Sequence, residues 1–348
     1  MKRGKLLLIV VAGMAVVAPA GCGGSEAEPS VSGRPTTEAA ALGKLGSWST
    51  ASVDAPERED AASVTANGRA YVIGGKNAGG VVQSTVYYAQ LKADGSSGTW
   101  ATTTALPAAR QDHNAVVANG RLYVIGGGGP DDTVYSAPLN ADGTVGTWRS
   151  ETALPLALDD PASVVAGDQL YVIGGLNGSV RDGVHHAPID EDGSLGAWRT
   201  SANPLPDGGR AEHTAFTADG HLHVVGGGNP DVQDEVFHAP LNADGSIGAW
   251  KTQADLLPQP RLDHTTVVSN GVAYVIGGID GSSDPQSTVY SATLNADGST
   301  GSWGSDTALP EAREDASTVL HDGYVYVFAG KSGEGAVVTA IYSKLPPP

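Results

Sequence analysis

The sequence contains one cysteine in 348 residues, Cys22, and so offers no pair that could form an internal disulfide. Basic residues are also scarce, with 20 Lys and Arg against 38 Asp and Glu and a formal net charge of −18 at pH 7. Such an acidic chain repels the phosphates of nucleic acids and the headgroups of anionic lipids. The composition therefore excludes nucleic acid as a partner, while it leaves cation binding open.

Runs that favour helix are scarce after the first twenty residues, whereas the chain has 48 glycines and 21 prolines. Short apolar segments alternate with turns rich in Gly, Pro, Asn and Asp along the remainder of the sequence. This alternation is typical of many short antiparallel strands, and it predicts an all-β protein.

Residues 1–21 resemble the signal peptide of a bacterial lipoprotein. Basic residues open the chain, and the apolar segment 6–17 is too short to span a bilayer comfortably. Cys22 then follows at the position where lipoproteins are cleaved and lipidated, although Pro19 stands where leucine is usual. An ordinary secretory signal with an incidental cysteine is the alternative interpretation.

Residues 22–41 consist mainly of Gly, Ser, Glu, Pro, Thr and Ala. A segment of this composition buries too little apolar surface to fold, so we expect a flexible tether. With Cys22 lipidated, the tether would hold the domain of residues 42–348 outside the cytoplasm, anchored to a bacterial membrane at the cell envelope or surface.

Tryptophan recurs at near-equal intervals of 52, 48, 50, 52 and 53 residues. The six are Trp48, Trp100, Trp148, Trp198, Trp250 and Trp303. A rare residue with a period near 50 indicates the blades of a propeller. We expect the six indoles to form a core between neighbouring blades, with a platform for stacking carbohydrate as the alternative.

Each repeat contains four strands, as the second copy illustrates. Its innermost strand ends at Ala118, and an Asn119-Gly120 turn leads to a second strand over 122–125, which is followed by Gly126-Gly127. After a variable loop come a third strand over 134–139, an Asp-Gly turn over 140–143, and a fourth strand that carries Trp148. Asn-Gly favours two-residue hairpins, and four antiparallel strands make one propeller blade.

Over residues 46–345, the repeat resembles the kelch repeat. The first marker is a di-glycine, present as Gly74-Gly75, Gly126-Gly127, Gly174-Gly175, Gly226-Gly227 and Gly277-Gly278, with Ala329-Gly330 in the sixth copy. The second is an aromatic position on the third strand, occupied by Tyr87, Tyr135, His185, Phe237, Tyr290 and Tyr342. The resemblance implies a six-bladed kelch-type β-propeller, in which glycine permits positive φ and close backbone approach.

The two ends of the repeat region complement each other. The last unit has three strands, ending with Ile341 and Tyr342, and lacks a tryptophan, whereas Trp48 precedes the first complete unit. We therefore expect residues 46–52 to supply the fourth strand of the last blade, antiparallel to the strand of Tyr342, which removes a free sheet edge.

A carboxylate stands at the start of every innermost strand, and in five blades an arginine precedes it by two residues. The carboxylates are Asp60, Asp112, Asp160, Glu212, Asp263 and Asp315, and the arginines are Arg58, Arg110, Arg210, Arg261 and Arg313. A histidine follows the carboxylate in three blades, as His113, His213 and His264. Blade three departs from this pattern, with Leu158 and Pro161 in place of arginine and histidine.

Two interpretations of this pattern stay open. In the structural one, arginines and carboxylates alternate in a solvated ring and tie adjacent blades together, as such residues commonly do in kelch repeats. In the functional one, the same eleven ionisable side chains form a binding funnel at the channel mouth, with arginine forks facing a substrate carboxylate. The three histidines would then transfer protons.

No metal or other cofactor is expected. The Asp-Gly turns, such as 140–143, lack the later bidentate carboxylate that a calcium loop needs, so hairpin turns explain them. His221 and His223 share one face of a strand, but His223 occupies the position of Tyr123, which favours packing.

Three functions are therefore compared for this chain, which we expect to be monomeric. The first is a membrane-tethered binding module for a glycan, an acidic sugar or a protein, using the loops after the di-glycines. The second is an enzyme similar to sialic-acid mutarotases of six-bladed kelch type, with Arg210, Glu212 and His213 as candidates. A purely architectural envelope protein is the third. A galactose-oxidase-like copper enzyme is disfavoured, because that resemblance would require a Tyr–Cys crosslink and the domain has no cysteine.

Overall fold

The structure is a computed structural model that describes residues 43–52, 56–333, 335–337 and 339–347. The predicted signal peptide, the tether to residue 41 and Cys22 lie outside the described residues. Within those ranges, no helix is long and apolar enough to cross a bilayer, and a 3₁₀ turn at Pro206–Gly208 is the helical segment.

Six antiparallel sheets of four strands make up the propeller. The chain begins with β1 (Ser49–Ser52), which joins the last sheet. Blades one to three comprise β2 (Ala62–Ala66), β3 (Arg69–Ile73), β4 (Val86–Gln90) and β5 (Ala101–Thr103); β6 (Asn114–Ala118), β7 (Arg121–Ile125), β8 (Val134–Pro138) and β9 (Arg149–Ser150); and β10 (Ala162–Ala166), β11 (Gln169–Ile173), β12 (Val184–Pro188) and β13 (Arg199–Thr200).

Blades four and five comprise β14 (Thr214–Ala218), β15 (His221–Val225), β16 (Val236–Pro240) and β17 (Lys251–Thr252); and β18 (Thr265–Ser269), β19 (Val272–Ile276), β20 (Val289–Thr293) and β21 (Gly304–Ser305). Blade six contains β22 (Ser317–His321), β23 (Tyr324–Phe328), the small loop hairpin β24 (Lys331–Ser332) and β25 (Gly335–Ala336), and then β26 (Ala340–Lys344).

The first strand of each blade lies innermost, and these strands contact one another around the central axis. Successive contacts join β2, β6, β10, β14, β18 and β22, and β22 contacts β2 again. The second strand of each blade is covered on both sides, so it is an almost continuous apolar run, as in Tyr71-Val72-Ile73. The all-β, six-bladed propeller predicted from the repeat is therefore the observed fold.

The two chain ends meet in blade six, where β1 pairs antiparallel with β26. Ser49 lies opposite Tyr342, and the Gly46 amide donates to the Lys344 carbonyl at 2.9 Å. The Ser343 hydroxyl donates to the Gly46 carbonyl at 2.7 Å. The sheet order β1-β26-β23-β22 thus gives the last blade its fourth strand.

The di-glycines bind each blade to the next through a backbone hydrogen bond. In blade two, the Gly127 amide donates to the Leu158 carbonyl of blade three at 2.9 Å, and the Gly330 amide of blade six donates to the Arg58 carbonyl of blade one at 3.0 Å. Gly127 has φ +82°, and a Cβ there would lie 2.3 Å from the His113 amide nitrogen. Close approach and positive φ both require glycine at this position.

The Asp-Gly turns are held by the preceding blade. The Tyr71, Tyr123 and Tyr171 hydroxyls donate to the carbonyls of Gly143, Gly193 and Gly245 at 2.7–2.9 Å. His223 Nε2 makes the corresponding contact with the Gly298 carbonyl at 3.0 Å. Packing, as predicted from its alignment with Tyr123, therefore accounts for this histidine.

The indoles lie between blades, but they are less buried than predicted. Trp303 is buried, whereas the other five tryptophans are half-buried. Four of them reach the preceding blade, and Trp148 Nε1 donates to the Thr104 carbonyl at 3.1 Å. Their place at the outer rim, beside the short fourth strands, explains why the prediction of a tryptophan core is only partly right.

Candidate functional site

Six carboxylates surround the central axis at the level where the innermost strands begin. Asp60, Asp112, Asp160, Glu212, Asp263 and Asp315 form this carboxylate ring, and each is between 2 and 6% exposed. All six adopt left-handed backbone conformations, with φ of 48–56°. Their backbones are linked around the ring, since the Asp263 amide donates to the Glu212 carbonyl and the Asp315 amide to the Asp263 carbonyl, both at 3.1 Å.

The five predicted arginines lie beneath the surface and do not form a solvated ring, since they are at most 6% exposed. Four of them stack on the aromatic position of the third strand in their own blade. The guanidinium of Arg110, for example, lies 4.7 Å from the centre of the Tyr135 ring. Blade three has Leu158 and His185 at these two positions, so the arginine and its aromatic partner are both replaced.

The three predicted proton-transfer histidines are also buried, at 0–1% exposure. Burial, together with the nearby Arg210 charge, lowers the pKa of His213 to about 3, so this imidazole is neutral at physiological pH. His264 Nε2 lies 2.9 Å from the Thr214 hydroxyl, and its pKa is likewise lowered to about 3 by burial. Their Cε1 atoms lie beside Gly174 and Gly226 of the preceding blades.

Two backbone positions flank each ring carboxylate on the loop face, which is the face formed by the loops after the di-glycines. One is the residue before the carboxylate, and the other is the residue after the di-glycine; they pair, for example, as Glu59 with Lys76 and Leu262 with Ile279. The residues after the di-glycines are Lys76, Gly128, Leu176, Gly228, Ile279 and Lys331. We call these the collar positions.

The side chains at the collar positions and at the residues before the carboxylates differ from blade to blade. In blade one, Lys76 Nζ forms an ion pair with Asp60, and in blade two the Gln111 amide donates to Asp112 Oδ2 at 2.6 Å. In blade six, Lys331 Nζ lies 2.9 Å from Glu314 Oε1. Blades four and five have Ala211 with Gly228 and Leu262 with Ile279 at the flanking positions, which carry neither a charge nor a side-chain amide.

A cavity of about 680 Å³ opens on the loop face over blades three to six. Its apolar wall includes Leu176, Val180, Val232, Leu262 and Ile279, contributed by blades three, four and five. Its charged lining consists of Glu212, Asp263, Glu314 and Lys331. An apolar wall with a few convergent polar groups is the usual composition of a small-molecule site.

Asp263 is a buried carboxylate of this cavity whose pKa is strongly raised. Its Oδ1 atom has no hydrogen-bond partner among the described residues, and the residue is 3% exposed. Burial raises its pKa well above the usual range, and the neighbouring charges of Asp315, Glu212 and Asp160 raise it further. The cavity is therefore suited to a group that supplies positive charge or hydrogen-bond donors.

Of the predicted site residues, Glu212 and Asp263 line this cavity, whereas the arginines and histidines pack beneath it. The residues missing from the sequence-based set are the collar positions and the valines of the loops. Their signal was present in the sequence, because Lys, Gly, Leu, Gly, Ile and Lys follow the six di-glycines. This variation indicates a site only once the structure shows that the residue after each di-glycine lies over the carboxylate ring.

A second cavity, of about 1080 Å³, opens on the opposite face, among the Asn-Gly and Asp-Gly turns of blades two to five. Small and apolar side chains such as Val117, Val165 and Thr217 line it, together with turn backbone. Across the described part of the chain, no group of three or more His, Cys, Asp or Glu side chains has the arrangement of a metal site.

Comparisons with known proteins agree with this architecture. Residues 43–345 match a family model described as the DUF6242 beta propeller domain. Over 83 residues, the chain is 32% identical to N-acetylneuraminate epimerase of Shigella sonnei (strain Ss046), a stretch that spans 23% of each protein. A solved structure described as "Structure of YjhT" superposes with a TM-score of 0.67 over 83% of this chain and 96% of that one, at 14% identity. That structural likeness shows the fold alone.

Proposed function

The chain belongs to the DUF6242 beta-propeller family, and from that premise we propose that it is a ligand-binding module whose site is the loop-face cavity over blades three to six. The observation that carries this proposal is the cavity itself, in which the buried carboxylates Glu212 and Asp263 lie at the foot of an apolar wall. Binding sites on rigid scaffolds characteristically combine variable loops with a few buried polar groups.

The proposal includes the setting expected from the N-terminal sequence. Lipidation of Cys22 would tether the module to a bacterial membrane from outside the cytoplasm. Replacement of Cys22 by serine should move the protein from the membrane fraction to the soluble extracytoplasmic fraction. Retention of Cys22→Ser in the membrane fraction would argue against the anchor.

A thermal-shift screen tests the cavity as the site. The screen covers amines, neutral sugars and acidic sugars including N-acetylneuraminate, and a ligand at one hundred times its Kd should raise Tm by on the order of 5 °C. Val232→Trp fills the cavity and should abolish the shift. Val82→Trp is the matched control, because Val82 pairs with Lys76 in blade one as Val232 pairs with Gly228 in blade four. A shift that survives Val232→Trp places the site elsewhere.

A second candidate is catalysis on N-acetylneuraminate, favoured by the 83-residue stretch shared with the epimerase. Among the residues suggested by sequence, Glu212 lines the cavity, while Arg210 and His213 are buried. NMR of anomer exchange in N-acetylneuraminate tests this candidate. Acceleration that Glu212→Gln removes would support an enzyme, and equal rates with and without the protein would reject it. An architectural role instead predicts that no ligand in the screen shifts Tm.

A further inference from the structure

We propose that the joint between blades four and five is acid-sensitive, so that protonation of His223 and His238 releases a turn of blade five from blade four while the other blades stay joined. The joint consists of the Asp-Gly turn of blade five, residues 295–300, and the side chains of blade four that contact it. This inference concerns a conformational switch, and it does not depend on the loop-face cavity being a ligand site.

Histidines are concentrated at this joint, which holds four of the nine in the chain: His221, His223, His238 and His264. At the first three joints, a tyrosine hydroxyl donates to the turn carbonyl of the next blade, and burial raises the pKa of these tyrosines to about 12. Between blades four and five, His223 Nε2 makes the contact instead, 3.0 Å from the Gly298 carbonyl. Among these four joints, the contact is therefore made by a group that titrates in acid at this joint alone.

Gln253 of blade four determines which nitrogen of His238 carries the proton. Its amide nitrogen donates to the Gly298 carbonyl at 2.9 Å, and its Oε1 accepts the Thr300 amide at 3.2 Å. These two backbone contacts fix the orientation of the side-chain amide, because a carbonyl cannot donate and an amide N–H cannot accept. The same nitrogen lies 2.6 Å from His238 Nδ1, so Nδ1 is the acceptor and the proton is on Nε2.

A second proton on His238 is incompatible with these contacts. A protonated Nδ1 would place one donor against another, the Gln253 amide nitrogen. Rotation of the amide relieves that contact, but it brings Oε1 against the Gly298 carbonyl and the nitrogen against the Thr300 amide. Protonation of His238 and the hydrogen bonds from Gln253 to blade five therefore exclude one another.

The surroundings of His223 also oppose protonation while the joint is closed. The residue is 1% exposed, and its ring stacks on Phe216 with 4.6 Å between the ring centres. Burial lowers the pKa of His223 to about 4, with His238 and His221 lowering it as well, and the hydrogen bond to the Gly298 carbonyl offsets part of this.

His238 faces charged groups from three elements. Burial lowers its pKa, the charges of His221 on β15 and Lys251 on β17 act in the same direction, and Asp297 of the turn opposes them. His264, at the inner end of the joint, stays neutral until about pH 3. Because native pKa values below the ordinary 6.5 favour the closed joint only while the rings are neutral, this stabilisation is complete above pH 6.5 and is lost as the pH falls toward 4.

The neighbouring joints lack this coupling. His186 Nδ1 lies 3.2 Å from Gln169 Oε1 of its own blade, and the ring stacks on Tyr171. An amide oxygen accepts, so Nδ1 already carries a proton, and a second proton on Nε2 breaks no hydrogen bond between blades. In blade one, the counterpart of the glutamine is a hydroxyl that does not titrate, since Thr103 Oγ1 accepts the Val145 amide of blade two at 2.8 Å.

Amide hydrogen exchange of the full chain at pH 7.5 and 4.5, resolved by residue with NMR, tests the proposal. The protection factor of the Thr300 amide should fall at least about tenfold between these pH values. The reason is that the open joint lets a histidine of ordinary pKa take up a proton that the closed joint refuses until about pH 4. The Val145 amide is the matched control, and its protection factor should change less than twofold.

A double variant removes the titrating groups. His223→Tyr with His238→Tyr introduces the stacked pair that blade one has at the same positions, Tyr71 and Tyr88. In this variant, the protection factor of Thr300 should change less than twofold between pH 7.5 and 4.5. The control His186→Tyr, at the position of His238 in blade three, should keep the tenfold fall.

Titration of the histidine rings by NMR in the native chain gives a second readout that does not depend on a variant folding. The midpoints of His223 and His238 should coincide with the pH at which Thr300 loses protection. Protonation of both rings while Thr300 stays protected would overturn the proposal. So would equal loss of protection at Thr300 and Val145, which indicates acid unfolding of the whole propeller, or a tenfold fall that persists in the double variant.

Discussion

Replacement of Gly127 by alanine should destabilise the propeller by about 3–5 kcal/mol, whereas the same change at the next residue, Gly128, should cost about 1 kcal/mol. The two glycines have the same φ, +82°. An alanine at positive φ costs roughly 1–2 kcal/mol, and the reduced freedom of the unfolded chain offsets about 0.4–1 kcal/mol of that. This part of the effect is common to both variants.

The surroundings of the added Cβ distinguish them. At Gly127, the Cβ would lie 2.3 Å from the His113 nitrogen, 2.4 Å from the Gln111 oxygen and 2.5 Å from the His113 Cα, and all three are backbone atoms. At Gly128, no atom lies within 4 Å. Relief at Gly127 requires a backbone shift of about 1–3 kcal/mol, and it strains the hydrogen bond to the Leu158 carbonyl by about 1 kcal/mol more.

Urea denaturation at pH 7.5, followed by tryptophan fluorescence, measures both variants against the native chain. Four of the tryptophans donate hydrogen bonds to the preceding blade, so the signal reports loss of contact between blades. If the free energies of unfolding of Gly127→Ala and Gly128→Ala differ by less than about 1 kcal/mol, glycine is required at position 127 only for its positive φ. The close backbone approach between blades would then contribute nothing to stability, which contradicts the prediction.

Two further predictions follow from other contacts. His213→Ala should remove about 1.4 kcal/mol of acid destabilisation per pH unit between pH 6.5 and 3, because the unfolded state takes up a proton below pH 6.5 that the buried native ring refuses until about pH 3; parallel stability curves for the two proteins would refute this. Tyr171→Phe should cost about 1 kcal/mol by removing the hydrogen bond to the Gly245 carbonyl, whereas Tyr88→Phe, at a half-buried position, should cost less, as urea midpoints will show.

The fold was readable from the sequence because its repeating parts are local. Each turn, di-glycine and tryptophan recurs at a fixed spacing, and each has a backbone or packing requirement that few other residues satisfy. The position of Trp48 in the last blade could also be predicted. The last repeat lacks a tryptophan, and Trp48 precedes the first complete repeat, so the N-terminal segment completes the last blade.

The candidate site was only partly readable. The position of the carboxylates followed from the spacing, and Glu212 and Asp263 do line the cavity. The arginines two residues before the carboxylates were also expected at the channel mouth. The chain turns between each arginine and its carboxylate, however, and the arginines are buried beneath it. The left-handed conformation of the ring residues, such as Asp263 at φ 53°, places the carboxylate and the arginine in different surroundings.

The sequence by itself determined the number of blades, the order of strands within each blade, the face that carries the variable loops, and the acidic character of the chain. These features depend on residues close together in the sequence. Only the tertiary structure decided which side chains share a cavity, because Leu176, Glu212, Ile279 and Lys331 come from four different blades. It also decided their chemistry: four of the arginines stack on aromatic rings, Lys76 pairs with Asp60 of the carboxylate ring, and Glu212 and Asp263 lie at the foot of an apolar wall.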